Sequence, residues 1–200
     1  MSMKSGRKIM ENNLLGYIER MEYIYHLTPE PAIGIWFRGC NHKCEGCINP
    51  HLWLVEDSVP KTVKEVLNDV LELAEANQDT KYIVFSGGEP LDQHVFFKEL
   101  SEQLRIFFPE FIQILFTGYE DYEVQNFYID DINNIGLCLA GRYKGSFNGI
   151  LDKKIMEIAN FGSNSRLIKF YSELAQIEVV EVIMKNGQLV VTGFENVQEE

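Results

Sequence analysis

The middle of the chain alternates short apolar runs with amphipathic stretches. Apolar runs occupy residues 33–37, 81–85 and 111–116, and each is followed by small or polar turn residues. Runs of this length bounded by turn residues predict buried strands. Apolar residues at helical spacing follow the first two runs, over residues 63–74 and about 92–107. This succession of strand, loop and helix predicts a parallel sheet with right-handed crossovers, and therefore an α/β fold.

The remaining segments extend this pattern and then change it. A short helix is predicted over residues 120–128 and a buried strand over residues 136–140. Near the C-terminus, residues 178–184 alternate polar and apolar side chains, and Asn186-Gly187 follows. Because Asn-Gly between alternating segments is a strong hairpin signal, we expect a β-hairpin over about residues 177–195.

Size and charge limit the possible classes of protein. The 200 residues are 46% hydrophobic, which is enough for one compact core. We expect a single domain over residues 14–200, with its core at about 33–170, preceded by a polar tail over residues 1–13. The net charge of -12 and the pI of about 4.8 disfavour a nucleic acid or a membrane surface as partner. No apolar run approaches the roughly 20 residues that span a bilayer, so we expect a cytoplasmic protein.

Three of the four cysteines stand in one short stretch, Cys40-x3-Cys44-x2-Cys47, directly after the first predicted strand. Thiolates at this spacing are suited to three corners of a 4Fe-4S cluster, which leaves one iron without a protein ligand. An open coordination position is typical of catalytic metal sites. The alternative is structural zinc, which needs a fourth ligand such as His42, His51 or Cys138.

A second motif, Ser86-Gly87-Gly88-Glu89-Pro90, follows the next predicted strand. Gly87 and Gly88 allow a ligand to approach the backbone closely, so their carbonyls are candidate acceptors for an ammonium group. Glu89 offers a carboxylate to the same group. The alternative is that these residues only form the turn that leaves the strand.

Together the two motifs resemble the radical S-adenosylmethionine superfamily. The resemblance implies an incomplete TIM-type barrel of about five or six parallel strands, with a 4Fe-4S cluster and S-adenosyl-L-methionine as cofactors. It implies that Cys40, Cys44 and Cys47 hold a cluster at which S-adenosylmethionine is reductively cleaved to a 5'-deoxyadenosyl radical. Ser86 and the Gly-Gly-Glu segment after it are then expected to bind S-adenosylmethionine.

Further segments are similar to the activating enzymes of glycyl-radical proteins. Gly46 stands where most of the superfamily has an aromatic residue, and residues 47–53, 117–119 and 162–166 resemble motifs of these activating enzymes. The resemblance implies a glycyl-radical enzyme as protein substrate, with anaerobic ribonucleotide reductase the first candidate, and a flavodoxin- or ferredoxin-type electron donor.

Three residues outside the two main motifs are further candidates for binding S-adenosylmethionine. Arg142 follows the strand over residues 136–140 and could contact a carboxylate, although a surface arginine fits equally well. Ser163 and Asn164 could bind the ribose or methionine part, or cap a turn.

Two departures from the activating enzymes leave the substrate open. Ala140 replaces an acidic residue, and the run over residues 162–166 is altered. The predicted hairpin also extends beyond the usual activating enzyme. The alternatives are therefore a different peptide or small-molecule substrate, or a non-catalytic module that binds zinc or an iron-sulfur cluster.

Overall fold

The computed structural model describes residues 14–56, 58–145, 152–158, 164–174, 180–185 and 188–193. Its strands are β1 (Leu15–Gly16), β2 (Ile18–Ile24), β3 (Ala32–Phe37), β4 (Lys61–Thr62), β5 (Tyr82–Gly87), β6 (Ile112–Thr117), β7 (Leu137–Ala140), β8 (Lys154–Glu157), β9 (Val180–Lys185) and β10 (Gln188–Gly193). Its α-helices are α1 (Val63–Ala76), α2 (His94–Phe107), α3 (Asp121–Glu123), which continues as a π-helical turn over Val124–Tyr128, and α4 (Asn164–Leu174).

A six-stranded sheet in the order β2-β3-β5-β6-β7-β8 forms the centre of the molecule. Strands β3, β5, β6 and β7 are parallel, whereas β2 and β8 pair antiparallel with their neighbours at the two edges. The predicted α/β sheet is therefore confirmed, but the expectation of five or six parallel strands is wrong. Residues 25–31 are too short a connection between β2 and β3 for the crossover that parallel pairing requires.

The described strands form no closed barrel, because β2 and β8 end the sheet on opposite sides. The incomplete TIM-type barrel is thus confirmed only as an open, mostly parallel sheet.

The central strands are buried along nearly their whole length, and all six residues of both β3 and β6 are buried. Burial on both faces explains their continuous apolar runs.

Helices cover both faces of the sheet. Helix α1 begins with a capping box between Thr62 and Glu65 and buries its apolar side, beginning with Val63 and Val66. On the face that α1 and α2 cover, the rings of Phe85 and Phe97 pack edge to face with centroids 5.0 Å apart. The other face is covered by α4, whose buried residues are Leu167, Tyr171 and Leu174.

Tyr171 also joins α4 to the chain before β3, because its hydroxyl donates to the carbonyl of Leu27 at 2.7 Å.

Strands β9 and β10 form an antiparallel hairpin in which Val180 lies opposite Gly193 and Lys185 opposite Gln188. This pairing confirms the predicted C-terminal hairpin. Over the ranges given above, no helix is both long and apolar enough to cross a membrane.

Candidate functional site

The cysteine loop leaves the carboxyl end of β3 and returns to its own starting point. The Gly39 amide donates to the Leu52 carbonyl at 2.7 Å, and the Cys40 amide donates to the Trp53 carbonyl at 3.1 Å. The Arg38 guanidinium adds a hydrogen bond to the Leu54 carbonyl at 2.8 Å. These three bonds close the base of a loop that contains all three cysteines of the motif.

Left-handed backbone conformations give the loop its shape. Gly39, Lys43 and Gly46 have φ values of 96°, 48° and 69°, and the Cys47 amide donates to the Cys44 carbonyl at 3.2 Å. Glycine adopts this conformation without steric cost, which is one physical reason for Gly46. The left-handed residues Lys43 and Gly46 therefore shape the chain between Cys40 and Cys47.

The three thiols of the loop are free and partly exposed, and they fit a cluster as donor set. Across the described part of the chain, no three His, Cys, Asp or Glu side chains converge closely enough to hold one metal ion. A cubane cluster needs no such convergence, because each thiolate binds a different iron. Cys138, one candidate fourth ligand for zinc, is fully buried within β7. The arrangement therefore suits a 4Fe-4S cluster better than a single zinc ion.

The Gly-Gly-Glu turn is hydrogen-bonded to the backbone that leads into this loop. The Gly88 amide donates to the Phe37 carbonyl at 2.8 Å, and the Glu89 amide donates to the Gly39 carbonyl at 2.7 Å. A Cβ atom on Gly88 would lie 2.4 Å from the Gly39 oxygen, and one on Gly87 would lie 2.7 Å from the Phe37 oxygen. Gly87 in addition has a φ of 100°. Both glycines are therefore required for the two motifs to pack backbone against backbone.

Ser86 lies in β5 opposite Trp36 of β3, one residue before this contact. The structure thus brings Ser86, Gly87, Gly88 and the cysteine loop together. Binding of S-adenosylmethionine by Ser86 or by the glycine carbonyls stays a prediction.

The Glu89 side chain is 1% exposed, accepts hydrogen bonds from the turn after β5 and from the end of β6, and lies beside His42 of the cysteine loop. One carboxylate oxygen accepts from the Leu91 amide at 2.9 Å and from the Thr117 hydroxyl at 2.8 Å. The other accepts from the Gly118 amide at 2.6 Å and lies 3.4 Å from Nε2 of His42. The carboxylate therefore connects the end of β5, the end of β6 and the cysteine loop. Its predicted contact with a ligand ammonium stays a prediction.

His42 reaches from the cysteine loop towards the end of β6. Its ring packs edge to face on Tyr119 with centroids 4.6 Å apart. A Cβ atom on Gly118 would lie 2.4 Å from the His42 ring, so a glycine at position 118 leaves the space that the ring occupies. His42, a candidate ligand for zinc, is thus placed against Glu89 and Tyr119.

Asp92 fixes the start of the same loop. Its carboxylate accepts from the Asn41 amide at 2.8 Å and from the Tyr119 hydroxyl at 2.7 Å. Desolvation, followed by hydrogen bonds with Tyr128 and Asp92, raises the pKa of Tyr119, so its hydroxyl stays protonated as a donor. The loop is therefore held at its base, at Asn41 and at His42.

Burial raises the pKa of the Cys40 thiol to about 11. The backbone amides of His42 and Lys43 oppose this shift, and the nearby Glu89 and Asp92 carboxylates add to it. Since thiolate is the metal-binding form, iron must displace a proton from Cys40.

Arg142 and Lys153 occupy different positions around the site. Arg142 is half exposed, and its guanidinium lies 3.6 Å from the Glu123 carboxylate at the rim. The Lys153 ammonium instead donates to the Thr117 carbonyl at 2.8 Å and to the Gly141 carbonyl, at the ends of β6 and β7. Binding of a ligand carboxylate by Arg142 stays a prediction, and the structure adds Lys153 as a second cation nearer the strand ends.

Ser163 and Asn164 are the last two residues predicted to bind S-adenosylmethionine. Ser163 lies outside the described residues, and Asn164 is the first residue of α4. Arg166, two residues later, pairs with Glu30, which precedes β3 at the end of the sheet opposite to the cysteine loop. Binding of S-adenosylmethionine by Ser163 and Asn164 stays a prediction.

Sequence reasoning missed the roles of Asp92 and Lys153. Asp92 had a usable signal, because it lies three residues after Glu89 at the start of a helical segment. Lys153 had none, since it stands next to another lysine in a polar stretch and reaches the site only through the pairing of β8 with β7.

One known protein is similar to this chain in sequence over more than half of its length. The anaerobic ribonucleoside-triphosphate reductase-activating protein of Enterobacteria phage T4 is 27% identical over 121 residues, which cover 58% of this chain and 73% of the phage protein. The chain is thus similar to an activating protein, as the motifs indicated.

A solved structure, the crystal structure of QueE from Escherichia coli, aligns with a TM-score of 0.43 at 20% identity. The alignment covers 52% of this chain and 53% of that one, a likeness too weak to assign a fold. The family comparison is stronger, because a model described as a 4Fe-4S single cluster domain matches residues 32–160, from the start of β3 to beyond β8. Since this match spans more than half of the chain and includes the three-thiol loop, the protein belongs to the family of 4Fe-4S single cluster domains.

Proposed function

We propose that the protein is a radical S-adenosylmethionine enzyme that generates a glycyl radical on a partner enzyme. The observation that carries this proposal is the direct hydrogen bonding of the Gly-Gly-Glu turn to the backbone that leads into the three-cysteine loop. A cluster held by three thiolates would have one open iron, and the carbonyls of the turn are candidate acceptors for a ligand bound there.

Cys40, Cys44 and Cys47 would hold the cluster, and Gly87, Gly88 and neighbouring groups would bind S-adenosylmethionine. When bound and reduced, the cluster would supply the electron that cleaves S-adenosylmethionine to methionine and a 5'-deoxyadenosyl radical, and this radical would take a hydrogen atom from the substrate and become 5'-deoxyadenosine.

The chain itself contributes orientation and restricted access of water. Glu89 holds the ends of β5 and β6 against the loop through buried hydrogen bonds, which are stronger in a desolvated setting than in water. His42 and Asp92 secure the loop between its first two cysteines. An orientation maintained by several buried contacts is what cofactor chemistry requires of a protein.

The partner is proposed from the phage relative, whose name describes an activating protein of anaerobic ribonucleoside-triphosphate reductase. An open sheet suits a protein substrate, because a barrel that does not close leaves room for a loop of the partner to enter. We further propose a flavodoxin- or ferredoxin-type electron donor and action in the cytoplasm.

The test mixes anaerobically reconstituted protein with reductant, S-adenosylmethionine and an anaerobic ribonucleotide reductase. We expect a glycyl doublet in the electron paramagnetic resonance spectrum and release of 5'-deoxyadenosine. Cys44→Ala should abolish both. Cys138→Ala is the matched control, because it removes a cysteine that is buried in β7, and it should retain the cluster. Release of 5'-deoxyadenosine without a glycyl signal would overturn the choice of partner, and full cleavage by Cys44→Ala would overturn the radical mechanism.

One observation favours a second candidate function, the radical modification of a different peptide. The β9–β10 hairpin lies outside the matched residues 32–160 and offers a separate element for recognising a substrate. Deleting residues 178–194 would then abolish modification of that peptide while cleavage of S-adenosylmethionine continues. Unchanged turnover of the peptide after the deletion would count against this function.

A further inference from the structure

Lys153 joins the carboxyl ends of β6 and β7, two neighbouring parallel strands. Its ammonium donates to the carbonyl of Thr117, the last residue of β6, and to the carbonyl of Gly141, which follows β7. The Lys153 side chain is partly buried, and desolvation lowers the pKa of its ammonium. The Glu89 carboxylate, which accepts from the hydroxyl of the same Thr117, opposes this shift and favours the protonated form.

Neighbouring cations are placed differently. Arg142, Lys144 and Lys154 all turn towards the acidic segment at the start of α3, where they pair with Glu123, Glu120 and Asp121 respectively. These pairs are at the exposed rim, where solvent and the carboxylates screen the positive charge. The two hydrogen-bond acceptors of Lys153 are backbone carbonyls, which carry only partial charges. The positive charge of Lys153 is therefore screened less than the charges of Arg142, Lys144 and Lys154, and its field within the site is stronger.

The cluster loop is the place where negative charge accumulates. Three thiolates are required to bind the irons, and two carboxylates already lie at the loop: Glu89 is 3.4 Å from Nε2 of His42, and Asp92 accepts from the Asn41 amide at 2.8 Å. Reduction adds one electron, and therefore one more negative charge, to a cluster in this acidic environment. A nearby cation stabilises the reduced state relative to the oxidised state, and charge and hydrogen bonding near a cluster set its potential.

We infer that Lys153 is a positioning residue that raises the reduction potential of the cluster by holding a positive charge at the ends of β6 and β7, where His42 of the cysteine loop packs against Gly118. This inference rests on a cluster held by Cys40, Cys44 and Cys47, and it does not depend on the identity of the substrate. Iron content tests whether the cluster is bound, and the midpoint potential tests whether Lys153 stabilises its reduced state. The two ideas can therefore fail separately.

The test compares Lys153→Gln, Lys153→Arg and the wild type after anaerobic reconstitution. The amide of glutamine can still donate hydrogen bonds but has no charge, whereas arginine retains the charge. Lys154→Gln is the matched control, because Lys154 is the next residue, has an exposed side chain and pairs with Asp121 at the rim. Iron content is measured first, and the midpoint potential is then measured by dithionite titration followed by electron paramagnetic resonance.

We expect a more negative midpoint potential for Lys153→Gln at full iron content, and wild-type potentials for Lys153→Arg and Lys154→Gln. A Lys153→Gln protein with full iron content and an unchanged potential would overturn the inference, because a residue that only joins the strands would not alter the potential. If Lys153→Gln does not take up iron but Lys153→Arg does so with the wild-type potential, the charge is needed to assemble the cluster, and the inference about its potential is overturned. Failure of both variants to take up iron, with Lys154→Gln intact, would mean that side-chain shape matters and not charge, and would also overturn it.

Discussion

The substitution Glu89→Gln tests whether a buried carboxylate holds the cysteine loop against the ends of β5 and β6. The glutamine side chain has nearly the same shape but has one acceptor oxygen in place of two. In the wild type, one carboxylate oxygen accepts from the Leu91 amide and the Thr117 hydroxyl, and the other accepts from the Gly118 amide. In either orientation, the NH₂ group of glutamine therefore faces a backbone N–H that it cannot accept from.

The loss of stability expected for Glu89→Gln follows from the hydrogen bonds that the carboxylate accepts. A hydrogen bond to a charged group contributes about 1.5–3 kcal/mol, and a buried donor left without an acceptor costs about 1–3 kcal/mol. Because Glu89 is 1% exposed, solvent cannot replace the lost acceptor. We expect the free energy of unfolding to fall by about 3 kcal/mol, which corresponds to a urea midpoint lower by about 1.5 M at a slope of about 2 kcal/mol/M.

Urea denaturation of the reduced, cluster-free protein, followed by far-UV circular dichroism, measures this change. Thr117→Val is the graded control, because it removes one neutral donor to the same carboxylate and should cost about 1 kcal/mol. A midpoint of Glu89→Gln no lower than that of Thr117→Val would refute the reasoning. Such a result would mean that the carboxylate does not hold these donors and is available to a ligand.

Three further substitutions test other parts of the structure. Gly88→Ala brings a Cβ atom to 2.4 Å from the Gly39 oxygen and should cost about 2–3 kcal/mol and most of the bound iron, whereas Gly145→Ala, which meets no atom within 4 Å and is strained only by its φ of 80°, should retain the iron. Phe97→Ala removes a fully buried ring and should lower the free energy of unfolding by about 3–5 kcal/mol in the same urea assay. Burial and the Glu30 hydrogen bond raise the pKa of Tyr82 to about 12, so this group should contribute about 2 kcal/mol of stability below pH 10 that is lost as the pH rises to about 12. Tyr82→Phe should show a correspondingly weaker loss of stability over that pH range, and an identical pH profile would contradict the assignment.

The amino-acid sequence was sufficient to predict the parts of the site that depend on local residue types. The spacing of Cys40, Cys44 and Cys47 predicted a cluster loop after a buried strand, and the family match agrees with a cluster. The apolar runs predicted β3, β5, β6 and β7 in their observed places, because a strand buried on both faces must be apolar throughout. The alternation around Asn186-Gly187 predicted the β9–β10 hairpin for a similarly local reason.

The edges of the sheet could not be predicted in this way. Strands β2 and β8 have no local feature that distinguishes parallel from antiparallel pairing, and their direction depends on how the chain is led back to the sheet. The prediction of five or six parallel strands is therefore too high, because the parallel strands are β3, β5, β6 and β7.

What the sequence alone determined was the chemical inventory of the site: three thiols, a turn with two glycines, and a carboxylate beside them. Only the tertiary structure decided how this inventory is used. Glu89 accepts its hydrogen bonds from residues up to 29 positions away, and Lys153 reaches the end of β6 across 36 positions. Contacts of this kind depend on strand order and register, which are set by packing over the whole sheet and leave no pattern in the neighbouring residues.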